Sequence, residues 1–180
     1  MLRITVPANE LWDETKQMFI PVEEQTLQLE HSLVSLSKWE SKWCKPFYSK
    51  EYKTYEETLD YIKCMTITQH VKPEVYKCLT QENVIQINEY IEAPMTATTF
   101  SQTERRKING EQITAELIYY WMIVSNIPFE CQKWHLNRLI TLIRVCSIKS
   151  QPPKKRSKQE LASSYAQINA ARRAKYNSKG

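Results

Sequence analysis

The feature that most constrains the fold of this chain is an apolar stretch between residues 109 and 148, the densest in the sequence. In its first half, apolar and aromatic side chains recur at steps of three and four residues, the spacing that places them on one face of a helix. These side chains are Ile113, Leu117, Tyr120, Trp121 and Val124. We therefore predict an amphipathic helix that buries this stripe in the core.

Pro128 interrupts the stretch and predicts a second helix. Proline lacks a backbone N–H and disfavours a helical conformation in the residue before it, whereas it fits the first turn of a new helix. The expected buried stripe of the second helix consists of Cys131, Trp134, Leu139, Leu142, Ile143 and Cys146. A break this short favours an antiparallel helical hairpin, and we expect the rest of the chain to pack on it.

The first thirty residues have the pattern of a small antiparallel sheet. Apolar and polar residues alternate from residue 2 to residue 6, which is the period of a half-buried strand. Residues 19–22 and 27–29 predict two returning strands, and residues 8–10 and 13–15 predict the turns. Such short strands are marginally stable alone, so we expect a helix over one face.

The segment after the sheet predicts a helix that carries two tryptophans. Leu33, Leu36, Trp39 and Trp43 recur at helical steps, and the helix is expected to end before Pro46. Trp39 and Trp43 share one face, with lysines beside them. This face has three interpretations: a stacking platform for nucleic acid, an anchor for a protein partner, or the buried side of a core helix that lies on the sheet.

Three further helices follow. Thr54 and Glu57 form a capping box, Pro73 suits the start of a short helix, and Thr80 suits the N-cap of a third helix that Pro94 ends. The β-prone sequence MTATTF after it predicts either an edge strand or a crossing of the surface. The inward residues of the two longer helices are expected to be Leu59, Ile62, Met65, Val84, Ile87 and Ile91.

Composition and motifs argue against an enzyme. The chain has only two glycines, Gly110 and Gly180, so it lacks the glycine-rich loops that bring a backbone close to phosphate. No nucleophile-elbow or zinc-protease signature occurs in the sequence. We expect the carboxylates of Glu56, Glu57 and Asp60 to be solvated charges at the start of a helix. We therefore predict no catalytic residues and no cofactor.

The cysteines and histidines are scattered along the chain. None of the five cysteines forms a C-x-x-C pair, so we expect free, buried thiols in a reducing cytosol. Cys131 and His135 have the spacing of a ligand pair, but a zinc site needs four ligands and no second pair accompanies them. We predict no metal site. No apolar run reaches the roughly 18 residues needed to span a membrane, and the N-terminus lacks the pattern of a signal peptide.

The end of the sequence is a basic arm. Residues 149–180 carry a net charge of +8, and because the whole chain carries +5, residues 1–148 carry −3. Pro152-Pro153 predicts a stiff hinge, and Ser157 with Glu160 predicts a capping box. The helix that follows would present a thin apolar stripe, too weak to fold alone. Its members are Leu161, Tyr165, Ile168 and Ala171.

The arm has three interpretations. It binds phosphate backbones, it binds an acidic protein and orders itself on contact, or it is a solvated tail that aids solubility. The slightly acidic body argues against nucleic acid. The basic residues concerned are Lys154, Lys155, Arg156, Lys158, Arg172 and Arg173.

Together these signals predict an α+β fold that is mainly α. A small N-terminal antiparallel sheet (residues 1–30) packs on a helical bundle (residues 32–148), and the basic arm (residues 149–180) follows.

Five segments of the chain carry a resemblance to a known family. They are SLSKWESKWCKPF, EAPMTATTF, NIPFECQKWHLNRLITLIRVC, SQPPKKRSKQEL and NAARRAKYNSKG. Together they resemble the tail assembly chaperones of tailed bacteriophages, over essentially the whole chain. The resemblance implies a non-enzymatic protein in the host cell cytoplasm that binds the tape-measure protein and the tail-tube protein until the tube polymerises.

The implied role requires exposed anchors for a partner. On the body we expect these to be Trp39, Trp43 and Trp134, and on the arm Tyr165, Ile168, Arg172 and Arg173. Two other functions stay open: a structural component of the virion tail or neck, and a nucleic-acid-binding accessory protein that uses the basic arm. A homo-oligomer is compatible with each of them.

Overall fold

A computed structural model of the chain describes residues 1–14, 17–49, 51–100, 112–151 and 158–176, and only the backbone of residues 158–161. The fold is α+β and mainly helical, as predicted. The strands are β1 (Leu2–Val6), β2 (Asn9–Asp13), β3 (Met18–Val22) and β4 (Gln25–Leu29). The helices are α1 (Leu33–Trp43), α2 (Tyr55–Met65), α3 (Pro73–Lys77), α4 (Gln81–Glu92), α5 (Ala115–Val124), α6 (Leu136–Lys149) and α7 (Lys158–Tyr176), with a 3-10 helix at Phe129–Lys133. The chain divides into two units, Met1–Ser147 and Ile148–Gly180.

The N-terminal strands form two antiparallel sheets of two strands each, which follow one another along an interrupted ribbon. β1 pairs with β4, with Leu2 opposite Leu29, and β2 pairs with β3, with Asn9 opposite Val22. Both pairings share one register, so the ribbon continues from its base (β1 and β4) to its tip (β2 and β3). The sequence predicted three strands and assigned residues 8–10 to a turn. The turns assigned to residues 8–10 and 13–15 were wrong at residues 9, 10 and 13, which belong to β2, because pairing with β3 overrides their local turn preference.

The base of the ribbon lies in the core. Ile4, Val6, Leu27 and Leu29 are buried there. Helix α4 packs on β1, and the side-chain amide of Asn83 donates a hydrogen bond of 3.2 Å to the carbonyl oxygen of Thr5. A helix does cover the sheet, but the prediction that it is the helix directly after the sheet, α1, was wrong, because α4 is the helix that packs on β1.

Helix α1 is the centre of the body. It begins at the N-cap Ser32 and packs on α2, on α5 and on the 3-10 helix. The predicted helical hairpin was wrong, because α5 packs most closely on α1 rather than on α6. The 3-10 helix and the extended Trp134 separate the two helices, and α6 begins only at Leu136.

The capping signals were read correctly. The Thr54 hydroxyl accepts the N–H of Glu57 at 3.2 Å, and the Glu57 carboxylate accepts the N–H of Thr54 at 2.8 Å. Helix α3 has Pro73 in its first turn, and the hydroxyl of Thr80 caps α4. Within α4 only Ile87 of the predicted stripe is fully buried, and its buried neighbours are Asn83 and Tyr90 instead.

Residues 95–100 form no strand and cross the surface, the second of the two predicted outcomes. The guanidinium of Arg144 in α6 lies over the ring of Phe100 at 3.9 Å. No helix in the described part of the chain combines the length and apolar character needed to cross a membrane. The predicted turn at Asn109-Gly110, the hinge at Pro152-Pro153 and the cap at Ser157 lie outside the described residues.

Candidate partner-binding surfaces

Helix α5 buries a different face from the one predicted. Its fully buried residues are Ala115, Ile118 and Met122. The predicted stripe of Ile113, Leu117, Tyr120, Trp121 and Val124 was wrong as a core stripe, because three of its members are only partly buried and Tyr120 and Val124 are exposed. Almost every residue of α5 is apolar, so the spacing of apolar residues fits either face.

Two contacts at its N-terminus help to set the rotation of α5. The hydroxyl of the N-cap Thr114 accepts the N–H of Leu117 at 3.4 Å. The carboxylate of Glu40, buried in α1, accepts the N–H of Ala115 at 2.7 Å and the N–H of Phe47 at 2.7 Å. A carboxylate at a helix N-terminus is favoured by the unpaired N–H groups and by the helix dipole. Glu40 therefore fixes the start of α5 on α1.

The solvent side of α5 forms an apolar surface. Tyr120 is 58% exposed, Ile123 is 58% exposed and Val124 is 62% exposed, and their three- and four-residue spacing places them together. Phe129, which is also exposed, follows in the 3-10 helix, and its ring centroid lies 6.3 Å from that of Tyr119. We call Tyr120, Ile123 and Val124 the outer face of α5. Helices that are apolar on all sides are normally covered on all sides, so the outer face is a candidate docking surface.

The tryptophans predicted to be exposed anchors are not part of the outer face of α5. Trp39 is only 1% exposed, and its indole N–H donates a hydrogen bond of 2.8 Å to the carbonyl oxygen of Glu57. Of the three interpretations of this helix face, the structure shows the core helix for Trp39. The expectation that Trp39 is an exposed anchor was therefore wrong, because α2 and Phe47 cover its ring.

Trp43 and Trp134 are partly buried. The indole of Trp43 donates to the carboxylate of Asp60 at 3.0 Å, and the ring of Trp134 stacks with the guanidinium of Arg138 at 4.2 Å. Both rings already have partners inside the body, so neither stands free as an anchor.

Two of the three carboxylates of α2, those of Glu57 and Asp60, are buried, and that of Glu56 is exposed. Glu57 accepts a hydrogen bond from the ammonium of Lys45 at 2.8 Å, and this bond lowers the pKa of the Glu57 carboxyl. The carboxylate of Asp60 accepts a hydrogen bond from the ammonium of Lys42. The predicted solvation of Glu56 and the capping role of Glu57 are confirmed, whereas the predicted solvation of Glu57 and Asp60 was wrong because α1 and the residues after it cover both side chains.

Helix α7 is the helical part of the basic arm that the structure describes. Tyr165, Ile168, Arg172 and Arg173 are exposed, as are most other described side chains of this helix. Lys154, Lys155 and Arg156 lie outside the described residues, and for Lys158 only the backbone is described. Residues 158–176 carry a net charge of +3. Most of the stability of helices in proteins comes from packing of an apolar face, so a partner that covers Tyr165 and Ile168 would stabilise α7.

Sequence reasoning missed a buried pair of histidines. The ring centroids of His31 and His135 are 5.1 Å apart, although the two residues are remote in sequence. The Nδ1 of His31 is hydrogen-bonded to the hydroxyl of Tyr61, and the Nε2 of His135 lies 2.9 Å from the carbonyl oxygen of Tyr90. Burial, followed by the charge of His135, lowers the pKa of His31 to about 4. Burial likewise lowers the pKa of His135.

The remaining titratable groups form no cluster suited to a metal. In the described ranges no group of three or more histidine, cysteine or acidic side chains has metal-binding geometry. All five cysteines are free, as predicted, but Cys44 is exposed, and only Cys78 and Cys131 are fully buried.

Comparisons with protein-family models, with curated proteins and with solved structures find no match to this chain.

Proposed function

We propose that this chain is a tail assembly chaperone of a tailed bacteriophage, a non-enzymatic protein that binds the tape-measure and tail-tube proteins in the host cytoplasm. The observation that carries the proposal is the outer face of α5. It is a cluster of large apolar side chains on a rigid helix, positioned by the core rather than buried in it.

The outer face suits a partner whose own apolar surface is exposed before assembly. Burial of apolar area stabilises such a complex by roughly 25 cal/mol per Å². The partner's final contacts in the tube would displace the chaperone, because a small apolar surface of this kind gives moderate affinity.

The exposed helix α7 supplies a second means of attachment. Tyr165 and Ile168 lie three residues apart, and Arg172 continues the same side of the helix. A segment of this kind folds fully on its target and pays its ordering entropy at that moment, which keeps binding reversible. Its positive charge suits an acidic surface on a helix-rich partner protein.

The buried polar groups support a binding protein over an enzyme. His31, His135, Glu40 and Glu57 each form hydrogen bonds within the body, to backbone atoms or to neighbouring side chains. Each bond orders the core. A catalytic group must instead reach a substrate.

The test is co-expression of the tagged chain with the tail-tube and tape-measure proteins of the same phage, followed by affinity capture. We expect at least one of the two to be retained. Recovery of neither protein, from cells in which both are soluble, would contradict the proposal.

Mass spectrometry of purified virions separates the chaperone from a structural component of the tail or neck. We expect the chain to be absent from virions or far below the level of the tube subunit. Peptides at a stoichiometric level would assign it to the particle.

A further inference from the structure

The two faces of the ribbon tip have different surroundings. Successive side chains of a strand point to opposite faces, so Leu11, Ile20 and Val22 share one face. Val22 is buried, and Leu11 and Ile20 are partly buried. This inner face of the tip faces the body.

The opposite face presents an aromatic pair to solvent. Trp12 and Phe19 are directly opposed in the pairing of β2 with β3. Their ring centroids are 5.0 Å apart with planes at 63°, an edge-to-face contact. Trp12 is 54% exposed and Phe19 is 57% exposed. The solvent face of an antiparallel sheet normally carries polar residues, so large aromatic rings at this position indicate a binding surface.

Acidic residues are frequent in and next to the ribbon tip. Glu10 shares the outward face with Trp12, and residues 9–24 carry a net charge of −4. Glu10, Glu23 and Glu24 are exposed, and no lysine or arginine in the described part of the chain forms an ion pair with them. Nucleic acids and anionic membranes are negatively charged and would be repelled by this tip.

We propose that the outward face of the ribbon tip docks a basic, arginine-bearing segment of a partner protein. A guanidinium stacks on the indole of Trp12, since tryptophan is the best aromatic partner for a cation. Neighbouring basic side chains of the same segment pair with Glu10 and Glu23. This site is separate from the outer face of α5 and does not depend on the chaperone role.

The test uses the full chain, labelled with ¹⁵N, and the synthetic peptide ALRRALRR as the probe. We expect saturable shifts of the Trp12 indole N–H and of the amides of β2 and β3, and a dissociation constant that rises at least about tenfold from 50 mM to 500 mM salt. The peptide ALEEALEE should produce no shifts. Absence of saturable shifts at the tip with ALRRALRR would overturn the proposal.

Matched variants locate the site. Trp12→Leu and Glu10→Lys should each weaken binding at least about fivefold, as the loss of a stacking or ion-pair partner predicts. Tyr52→Ala and Glu82→Lys change exposed residues elsewhere and should leave the affinity unchanged. Equal weakening by the control variants would contradict the assignment. Shifts of the tip that depend on protein concentration without peptide would assign the surface to a second copy of the chain instead.

Discussion

Alanine substitutions on the buried and on the exposed face of α5 should change the free energy of unfolding by different amounts. Met122 is fully buried, whereas Ile123, the next residue, is 58% exposed. Met122→Ala removes a buried side chain and leaves a cavity, which costs roughly 2–5 kcal/mol of unfolding free energy in protein cores. Ile123→Ala removes a side chain that is mostly in water, and such surface changes usually stay within about 0.5 kcal/mol.

Urea unfolding followed by tryptophan fluorescence measures this difference. We expect Met122→Ala to lower the midpoint with an unchanged slope, since the slope reports the surface exposed on unfolding. The midpoint of Ile123→Ala should coincide with that of the wild type. Equal destabilisation by the two variants, or a larger effect of Ile123→Ala, would refute the rotation of α5 and with it the outer face.

Three further predictions concern the body. Glu40→Ala leaves the buried N–H groups of Ala115 and Phe47 without an acceptor, which should lower the free energy of unfolding, measured by thermal unfolding, by roughly 2–6 kcal/mol. Glu40→Gln keeps one oxygen acceptor and should lower it less. Equal losses of stability in the two variants would argue against the hydrogen bonds as the cause. The pKa of His31 is about 4 in the native state, whereas the unfolded chain binds this proton below about pH 6.5, so the unfolding free energy should fall by up to about 3 kcal/mol as the pH drops through this window. Unfolding curves at several pH values should show a shallower decline for His31→Gln. An unchanged decline would rule out His31 as the cause of the pH dependence. Cys44 is exposed and ends α1 with a φ of 51°, a backbone conformation that disfavours a side chain. Cys44→Gly should therefore raise the unfolding free energy by about 1 kcal/mol. A decrease would contradict the left-handed conformation of this residue.

Local signals in the sequence located most elements of the fold. The capping box of Thr54 and Glu57 placed the start of α2, and the N-cap Thr80 placed the start of α4, because an N-cap is a contact between near neighbours in the chain. Pro94 and Pro46 likewise lie just beyond the ends of α4 and α1.

The faces of the helices were harder to predict. In α5 the apolar residues are so frequent that two stripes compete, and contacts with α1, which is remote in sequence, decide between them. The same applies to Trp39, whose burial depends on Phe47 and on the backbone of α2.

Sequence reasoning did not find the ribbon tip or the histidine pair. Trp12 faces Phe19 only because β2 continues the register of β1, and the residues that form β2 have turn-like composition. His31 and His135 meet because Ser32 and His135 form an isolated bridge between the starts of α1 and α6. No short-range pattern reports a contact across that many residues.

The affinity of the chain for a captured tail protein tests the central claim, that the outer face of α5 binds the partner. Calorimetric titrations should compare the wild type with Ile123→Asp and with Ile85→Asp, which changes a similarly exposed isoleucine on α4. The account predicts a loss of at least about tenfold, or ~1.4 kcal/mol, for Ile123→Asp and wild-type affinity for Ile85→Asp. Equal affinities for all three proteins would contradict it.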